Sequence, residues 1–364
     1  MGASAAYHLS RRGHRVALLD QYAIPNEWAS SGDHARVLRY TYGKDLFYTE
    51  LAARSAALWK DFQKEIREDL LVPTGVLDIA DKDTAYTKAS YAGLKQMKIP
   101  VFEMDSQELR QTFRVINPRA VRHAVFHPDG GMIWAQRAVA GFTRAASRGR
   151  ALICPDTKVA SVSHGGGKIQ EVRDAKGRSW KAEAYVFAAG PWSRDLLARE
   201  KLPLTVTRQQ TMYFRPPMNQ GRFRPGHCPV VFCMARGYYV MPVHIHGFMK
   251  IGCHRKGPKM KPCAGCREAT PQFERACRDF LKTFIPDVYG FTEAEAKVRY
   301  YDNTPDGDFI VDRLPSASNA FVAAGFSGHG FKFAPLIGAA LADLITKGRT
   351  DMNLARFRLA RFRK

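Results

Sequence analysis

The chain has 364 residues and is strongly basic, with a formal net charge of +22, while 45% of its residues are apolar and 25% are charged. A chain of this length can bury a large core and has room for two domains. No apolar run approaches the roughly 18 residues that a membrane-spanning helix needs, and the basic residues are scattered. We therefore expect a soluble globular protein with neither a membrane nor a nucleic acid among its partners.

The chain begins with a predicted helix over residues 2–13, followed by a predicted buried strand over 16–20 that ends in an acid. A dinucleotide-binding fold has the same order of helix and strand after the last glycine of its fingerprint. Gly2 would be that glycine and approach the phosphates, and Asp20 would accept hydrogen bonds from the ribose hydroxyls. The first strand and the first two glycines of G-x-G-x-x-G do not precede Gly2 in the sequence. An inactive, N-terminally truncated fragment is therefore one alternative.

The middle of the chain alternates between helical and strand-like patterns. The predicted elements are, in order, a helix over 52–68, a strand over 75–80, a capped helix over 105–113, a strand and turn over 124–132, a helix from about residue 135, and a β-meander over 158–174. A buried strand over 185–190 then ends at Gly190 and leads into a helix. Residues 206–311 are rich in strand-like and aromatic segments.

The seven cysteines are dispersed, and their odd number in a large chain predicts reduced thiols and a cytoplasmic location. One group of side chains suggests a zinc site, and it comprises His244, His246, Cys253, His254, Cys263 and Cys266. However, no second cysteine pair follows Cys263 and Cys266 at finger spacing, and His244 and His246 alternate as on a strand. We therefore predict no metal site.

The C-terminal part contains the most informative segment. An apolar run over 321–324 predicts a strand, and a helix is predicted over 335–345. The turn between them is rich in glycine, which lets the backbone approach a ligand closely, and it leads into a helix N-terminus, which attracts anions. His329 and Lys332 lie in the same turn. The segment therefore predicts a cofactor site, whose candidate residues are Gly325, Gly328, Gly330, Phe331 and Lys332.

Motifs along the whole chain agree with one family pattern. They are Gly2 with Asp20 and the segments 32–43, 74–77, 249–254, 301–312 and 325–333. Together they resemble the flavoprotein amine oxidases of the monomeric sarcosine oxidase and N-methyltryptophan oxidase family, within the D-amino-acid-oxidase-like superfamily. The resemblance extends from Gly2 to the C-terminus.

The resemblance implies an α/β fold in which a Rossmann-like FAD-binding domain is interleaved with a mixed β-sheet substrate domain. The FAD-binding domain would comprise residues 1–72, 135–205 and 306–364, and the substrate domain residues 73–134 and 206–305. The implied reaction is the oxidation of a secondary or N-methylated amino acid to an imine by FAD, with O2 reduced to H2O2, in a protein that acts as a monomer. A glycated or cyclic amino acid as substrate, or a dehydrogenase with another electron acceptor, remain alternatives.

The family attaches its flavin through a cysteine two residues before the aromatic position that Tyr301 occupies. Arg299 stands at that position, so we expect FAD to be bound without a covalent bond. Gly2, Asp20, Gly32, Arg36 and Gly190 complete the set of residues expected to contact FAD.

Lys250 lies in an apolar strand pattern, which is an unfavourable position for a charge unless the charge has a role. The resemblance implies that Lys250 stands beside the flavin and promotes its reaction with O2; the alternative is an edge-strand lysine that points to water. Arg36 and Arg39, three residues apart, would share one face of a helical or turn-like segment. The resemblance implies that Arg36 faces the flavin ring, while Arg39 and Lys332 clamp the substrate carboxylate. Two solvated arginines are the alternative.

Four further side chains match positions around the substrate amine in the family: Tyr239, His254, Tyr301 and His329. An aromatic wall favours an N-alkyl or cationic amine, and a neutral histidine can influence the protonation state of that amine. The resemblance implies catalytic roles for His254 and His329 and substrate contacts for the two tyrosines. Ordinary core packing is the alternative for each of them.

Overall fold

The computed structural model describes residues 1–217, 221–262 and 268–362 of the chain. It has an α/β fold with a large mixed sheet, which confirms the predicted fold class. The described α-helices are α1 (Gly2–Arg11), α2 (Leu46–Ile66), α3 (Ala85–Gln96), α4 (Ser106–Thr112), α5 (Ala135–Arg148), α6 (Ser193–Leu196), α7 (Pro271–Phe284), α8 (Pro286–Tyr289) and α9 (Ala334–Lys347).

The strands are short near the N-terminus and longest in the second half of the chain. The described strands are β1 (Ala17–Leu19), β2 (Ala35–Leu38), β3 (Leu71–Val72), β4 (Val76–Ala80), β5 (Phe102–Met104), β6 (His123–His127), β7 (Gly131–Trp134), β8 (Leu152–Cys154), β9 (Val159–Gly165), β10 (Lys168–Asp174), β11 (Ser179–Trp180), β12 (Tyr185–Phe187), β13 (Thr205–Phe214), β14 (Val230–Cys233), β15 (Tyr238–Met241), β16 (Met249–Cys253), β17 (Ala294–Asn303), β18 (Ile310–Arg313) and β19 (Ala320–Ala324).

An eight-stranded sheet dominates the second half of the fold, with the strand order β17-β13-β16-β15-β14-β4-β6-β5. Strands β14 and β4 run parallel, while the other neighbouring pairs are antiparallel. The sheet draws its strands from residues 76–127 and 205–303, and thus almost entirely from the two segments expected to form the substrate domain. The domain boundaries themselves stay a prediction.

Parallel strand pairs form the other layer. Strand β1 pairs with β8, and β12 pairs with β19, which also has β18 as an antiparallel neighbour. Gly2, at the start of α1, lies between these two groups, since a Cβ atom built on it would be 3.7 Å from Leu18 Cδ1 and 3.6 Å from Ala188 Cβ. Helices α1, α2, α5 and α9 contribute most of the apolar core on this side. The start of α1 is thereby fixed between β1 and the segment that follows β12.

Local sequence signals explain several element boundaries. The Asp105 side chain accepts hydrogen bonds from the backbone N–H groups of Gln107 and Glu108, and the Glu108 side chain accepts one from Asp105 N, so α4 begins with a capping box as predicted. The β-meander is confirmed as the antiparallel sheet β11-β10-β9. The helix predicted over 52–68 begins earlier, at Leu46. The helix predicted after Gly190 has only four residues, from Ser193 to Leu196, and follows one 3-10 turn.

Ion pairs connect the C-terminal segment to the loop beside the predicted cofactor turn. Arg356 contacts Asp45 at 2.8 Å and Asp308 at 2.8 Å. The neighbouring carbonyl of Gly307 lies 3.3 Å from His329 Nε2. The C-terminal tail is thus connected to a predicted site residue through the loop that contains Asp308.

A transmembrane helix is absent from the described ranges, because none of their helices is both long and apolar enough to cross a bilayer.

Candidate functional site

A cavity of about 1870 Å³ lies between the parallel strand pairs and the eight-stranded sheet. Its lining residues include the start of α1 and residues of β15 and β16. Sequence-predicted residues in its walls are Gly2, Asp20, Arg36, Arg39, Gly190, Tyr239, Lys250, His254, Tyr301, Gly328, His329, Gly330, Phe331 and Lys332. Tertiary structure therefore brings together residues that are up to 330 positions apart in the sequence, from Gly2 to Lys332.

One end of the cavity is formed by α1, β1 and the segment after β12. The N-terminus of α1 receives no side-chain cap from the described residues, so its first N–H groups remain available to a ligand. Asp20, directly after β1, accepts hydrogen bonds from Tyr22 N at 2.9 Å and Asn26 Nδ2 at 3.4 Å. Burial raises the pKa of Asp20 to about 6. This end suits a ligand that combines anionic groups with hydroxyl groups.

The glycine turn after β19 forms a second part of the wall. Gly328 has a φ of +79°, and a Cβ atom on it would lie 2.2 Å from the ring of Tyr301, so only glycine fits there. The turn continues as a 3-10 helix that contains Lys332. The Lys332 carbonyl accepts hydrogen bonds from Ser55 Oγ at 2.5 Å and Trp59 Nε1 at 2.7 Å. Helix α2 therefore fixes the backbone from which the Lys332 side chain enters the cavity.

A charged network surrounds Asp33 at the centre of the cavity wall. Lys250 Nζ lies 2.7 Å from Asp33 Oδ2, Arg36 Nη1 lies 2.6 Å from the same oxygen, and the Tyr213 hydroxyl donates to Asp33 Oδ1. The side chains of Lys250 and Asp33 are 2% and 1% exposed. Strand β16 lies between β13 and β15, so the alternative of an edge-strand lysine pointing to water is wrong.

Burial and charge act against each other in this network. Burial alone would raise the pKa of Asp33. The positive charges of Lys250, Arg36 and Arg299 outweigh this effect and lower the pKa of Asp33 well below its usual range. Burial lowers the pKa of Lys250 to about 8 although Asp33 opposes that shift. Arg299 donates to Gly32 O at 2.8 Å, while its Nη2 atom is buried and finds no hydrogen-bond partner in the described part of the chain. The buried carboxylate of Asp33 thus interacts with three cations, of which Arg299 is also influenced by Glu27.

Arg39 and Lys332 form a second cationic part of the wall. Arg39 donates to the Thr41 carbonyl and, at 2.9 Å, to the Tyr86 hydroxyl. Lys332 Nζ donates to the Tyr42 hydroxyl and to His329 O, both at 2.9 Å. All four acceptors are neutral oxygens. Burial, followed by the nearby charge of Arg39, holds the pKa of Lys332 well below its usual range.

Two aromatic rings lie against the Arg39 guanidinium. Its central carbon lies 4.3 Å from the ring centroid of Tyr42 and 4.7 Å from that of Phe232. These contacts and the hydrogen bonds of Nη1 fix the side chain, and a guanidinium can bind a planar anion such as a carboxylate through two parallel hydrogen bonds. Arg39 and Lys332 together therefore provide a recognition site for a small anion.

The remaining wall is aromatic and contains two imidazoles. The His254 ring lies 6.0 Å from that of Tyr301 and 6.5 Å from that of His329, measured between centroids. Burial, Arg39 and Lys332 lower the pKa of His254 to about 4, and burial with Lys332 lowers that of His329 well below its usual value. Burial raises the pKa of Tyr301 to about 12. These groups are therefore neutral at physiological pH.

Three local expectations were wrong. Arg36 lies on strand β2 and Arg39 directly follows that strand, so the two arginines do not share a helical or turn-like face. Strand pairing with β7 determined the conformation of this segment. His244 and His246 lie in the loop between β15 and β16 and not on a strand. The solvated alternative for Arg39 is also wrong, because Arg39 is 4% exposed.

Two of the predicted cofactor glycines lie outside the cavity wall. Gly325 N donates to Asp302 Oδ2 at 2.7 Å, and Gly32 O accepts the hydrogen bond from Arg299. The backbones of these two glycines therefore bond to residues of the cavity wall and do not line the cavity themselves. No group of three or more metal-binding side chains is arranged around a common point in the described ranges, and Cys263 and Cys266 lie outside those ranges.

Sequence reasoning missed Asp33, Tyr42 and Trp59. The signal for Asp33 was present, since a buried lysine requires a counter-ion and Asp33 is an acid within the matched segment that contains Arg36. Tyr42 and Trp59 give no comparable signal, because aromatic residues on apolar patterns usually belong to the core.

Comparison with known proteins agrees with this geometry. The family described as FAD dependent oxidoreductase matches residues 1–344. The chain is 29% identical to a monomeric sarcosine oxidase of Bacillus sp. (strain NS-129), covering 99% of this chain and 94% of the relative. It is 27% identical to an N-methyl-L-tryptophan oxidase of Salmonella heidelberg (strain SL476), covering 100% and 96%.

The fold is also similar to a solved structure, the L-proline dehydrogenase from P. horikoshii. The TM-score is 0.88 at 23% identity, and the match covers 99% of this chain and 94% of that one. The shared fold includes both layers that enclose the cavity.

The Asp33 network generates a prediction for stability. We expect Asp33→Asn to lower the free energy of unfolding by about 3–5 kcal/mol, because it leaves buried cations without a counter-ion. Lys250→Met should cost less, since Arg36 still pairs with Asp33. Urea unfolding of both variants and the double variant should give a coupling energy of about 1–3 kcal/mol.

The same network predicts the direction of a pH effect. The pKa of Asp33 is depressed in the folded state, so its stabilising contribution is present above its unfolded pKa of about 3.9 and is lost as pH falls. The stability difference between the parent protein and Asp33→Asn should therefore shrink below about pH 4. Equal differences at all pH values, or additive single variants, would contradict the ion-pair assignment.

Proposed function

Because the chain belongs to the family of FAD dependent oxidoreductases, we propose that it oxidises a secondary or N-methylated amino acid to an imine, with O2 reduced to H2O2. The observation that carries this proposal is the pair of buried cations, Arg39 and Lys332, facing an aromatic wall that contains neutral imidazoles. An amino-acid carboxylate would supply the missing negative charge, and the amine would then point toward His254 and Tyr301. The sarcosine and N-methyl-L-tryptophan oxidases among the relatives support the same substrate class.

The cavity residues fit FAD. The uncapped N-terminus of α1 at Gly2 would bind phosphate oxygens, and Asp20 would accept hydrogen bonds from the ribose hydroxyls. Gly190 lines the same cavity. Arg36 and the turn residues Gly328, Gly330, Phe331 and Lys332 would face the flavin ring. When bound, FAD supplies the acceptor for a hydride from the carbon next to the amine nitrogen.

The substrate site would orient the amine and control its protonation. Arg39 and Lys332 would fix the carboxylate, which converts a mobile substrate into one with a defined position relative to the wall. A protonated amine would be unfavourable beside these two cations, and the neutral imidazole of His254 can accept a hydrogen bond from an amine N–H. Tyr239 and Tyr301 would exclude water from the N-alkyl group. The chain thereby favours the neutral amine, the form that can lose a hydride.

Lys250 would serve the reaction with O2. Its position is fixed by the ion pair with Asp33, and Arg36 and Arg299 lie close to the same carboxylate. A fixed cation stabilises negative charge that develops on O2 without reorganisation of the protein. An oxidase function follows from this role, and detection of H2O2 separates it from a dehydrogenase function. A monomeric state and a cytoplasmic location stay predictions from the sequence.

The proposed substrate class is tested with an H2O2-coupled screen of N-methyl amino acids, with proline and a glycated amino acid included. We expect turnover of at least one N-methyl amino acid and none of its amide. Arg39→Met should lower kcat/KM for the best substrate by about 10²–10³-fold, equivalent to about 3–4 kcal/mol, because Lys332 is left as the only clamp residue. Arg349→Met, at an exposed position, is the control. Turnover of the amide at the same rate would contradict carboxylate recognition.

The mode of FAD binding is tested by acid precipitation. Arg299 occupies the position of the attaching cysteine, so denaturation should release all flavin into the supernatant. Yellow colour that stays with the pellet would show a covalent bond and refute this part of the proposal.

The role of Lys250 is tested by measuring the two half-reactions separately. Lys250→Met should slow reoxidation of the reduced flavin by about 10²–10³-fold and affect its reduction by substrate much less. Lys297→Met is a matched control, because Lys297 bonds to His34 at 2.7 Å and lies outside the cavity wall. Equal losses in both half-reactions of Lys250→Met would contradict the assignment.

A further inference from the structure

A group of buried polar side chains behind Arg39 has no role in the function proposed above. Asp78 and His127 are both 0% exposed, and the Asp78 Oδ2 and His127 Nε2 atoms are 3.9 Å apart, beyond hydrogen-bond distance. Within the described residues, neither carboxylate oxygen of Asp78, neither ring nitrogen of His127, nor the Thr41 hydroxyl has a hydrogen-bond partner. Buried polar groups are rarely left unsatisfied, so this group requires an explanation.

The strand geometry directs Asp78 toward the Arg39 side of the sheet. On β4, Leu77 and Ile79 belong to the core on one face, while Asp78 lies on the opposite face with Val76. Asp78 is in register with Phe232 of β14, and Phe232 is one of the two rings that stack on the Arg39 guanidinium. Asp78 is therefore a close neighbour of Arg39 without being in direct contact with it.

The electrostatic relation between the two residues is mutual. Burial raises the pKa of Asp78 to about 6, while Arg39 and, after it, the Thr41 hydroxyl act in the opposite direction. Asp78 in turn helps to raise the pKa of Arg39 against the effect of burial. Asp78 is thus the nearest source of compensating negative charge for Arg39, whose direct hydrogen bonds go only to neutral oxygens.

The surroundings of Asp78 favour the neutral acid as soon as Arg39 acquires another anion. An ionised Asp78 has only acceptor oxygens and depends on the Thr41 hydroxyl or the His127 ring to turn a donor toward it, whereas the protonated acid carries its own donor. The Thr41 hydroxyl and the His127 imidazole are both available as acceptors, and burial lowers the pKa of His127 to about 3, which keeps the ring neutral. Two carboxylates beside one guanidinium would repel each other at low dielectric constant.

We propose that Asp78 is the resident counter-ion of Arg39 and takes up one proton when a ligand carboxylate binds at Arg39 and Lys332. This inference rests on the proposed carboxylate site. The protonated Asp78 then donates to Thr41 Oγ1, and the charge around Arg39 stays constant between the free and the liganded protein. The affinity for a carboxylate ligand consequently falls as pH rises, because the proton becomes harder to acquire.

The titratable and charged groups that face Asp78 come from four elements: Arg39 after β2, Tyr86 on α3, His127 on β6 and Cys233 on β14. Burial raises the pKa of Tyr86 and of Cys233 above their usual values. Tyr86, His127 and Cys233 therefore keep a constant neutral state near neutral pH, and Arg39 stays charged. Among these groups only Asp78 is suited to change its protonation state.

The test is calorimetric titration of the FAD-loaded protein with 3-methylbutanoate, an apolar carboxylate without an amine. Titrations in phosphate and in Tris, which differ in ionisation enthalpy, report the number of protons taken up. We expect an uptake approaching one proton per ligand, with Kd rising by up to about tenfold per pH unit between about pH 6 and 8. The amide of the same acid serves as the neutral control ligand and should bind weakly with no proton uptake.

Asp78→Asn and Asp78→Val provide the decisive comparison. Both remove the titrating group, and valine suits a buried strand position. We expect either variant to bind 3-methylbutanoate with no proton uptake, with a pH-independent Kd, and at about pH 8 at least tenfold more tightly than the parent protein.

Each other outcome has a defined meaning. Proton uptake that persists in the Asp78 variants would overturn the proposal and assign the proton to Lys332 or an imidazole. Weaker, still pH-dependent binding by variants with a normal flavin spectrum would show a structural role for Asp78 and also overturn it. If the parent protein binds the ligand without proton uptake, the counter-ion role of Asp78 is refuted and the carboxylate site is not. If the parent protein does not bind the ligand, the carboxylate site itself is refuted.

Discussion

The structure depends most on how buried positive charge is compensated around Asp33. Four strands, β2, β13, β16 and β17, bring Arg36, Tyr213, Lys250 and Arg299 to the same carboxylate or close to it. Removing charges from water is costly, and here a single buried carboxylate is shared by several cations. These buried charges lie at the wall of a large cavity. A site of this kind is matched to ligands or reaction states that carry negative charge.

A second cationic site in the same cavity is compensated differently. Arg39 and Lys332 bond directly only to neutral oxygens, and the nearest carboxylate, Asp78, acts on Arg39 without contact. Direct pairing, as between Asp33 and Lys250, fixes a cation in place. Compensation at a distance leaves the guanidinium edge free for an incoming anion while limiting the cost of burying the charge. The two arrangements agree with the two roles proposed, a permanent cation for O2 and a binding site for a carboxylate.

Several parts of the fold and the site were predictable from particular residues. The capping box at Asp105, the meander turn at residues 165–167 and the strand-turn-helix around Gly328 are encoded locally, and each is present as expected. The family resemblance extended these local signals to a fold class and to a set of residues that the structure places in the cavity wall. The spacing of Arg36 and Arg39 gave the wrong conformation for their segment, because pairing with β7 across almost 100 residues decides that these arginines lie in extended chain.

The sequence by itself determined the capped helix, the β-meander, the glycine turn and the types of side chain that the chemistry requires. These depend on backbone propensity, residue spacing and residue identity, which are properties of short segments. Only the tertiary structure decided which charges meet. Whether Lys250 is solvated or paired, whether Arg39 is exposed or stacked between Tyr42 and Phe232, and whether Asp78 faces a donor are consequences of strand order and register. Electrostatic energies depend on distance and burial, and neither quantity exists until distant segments have packed together.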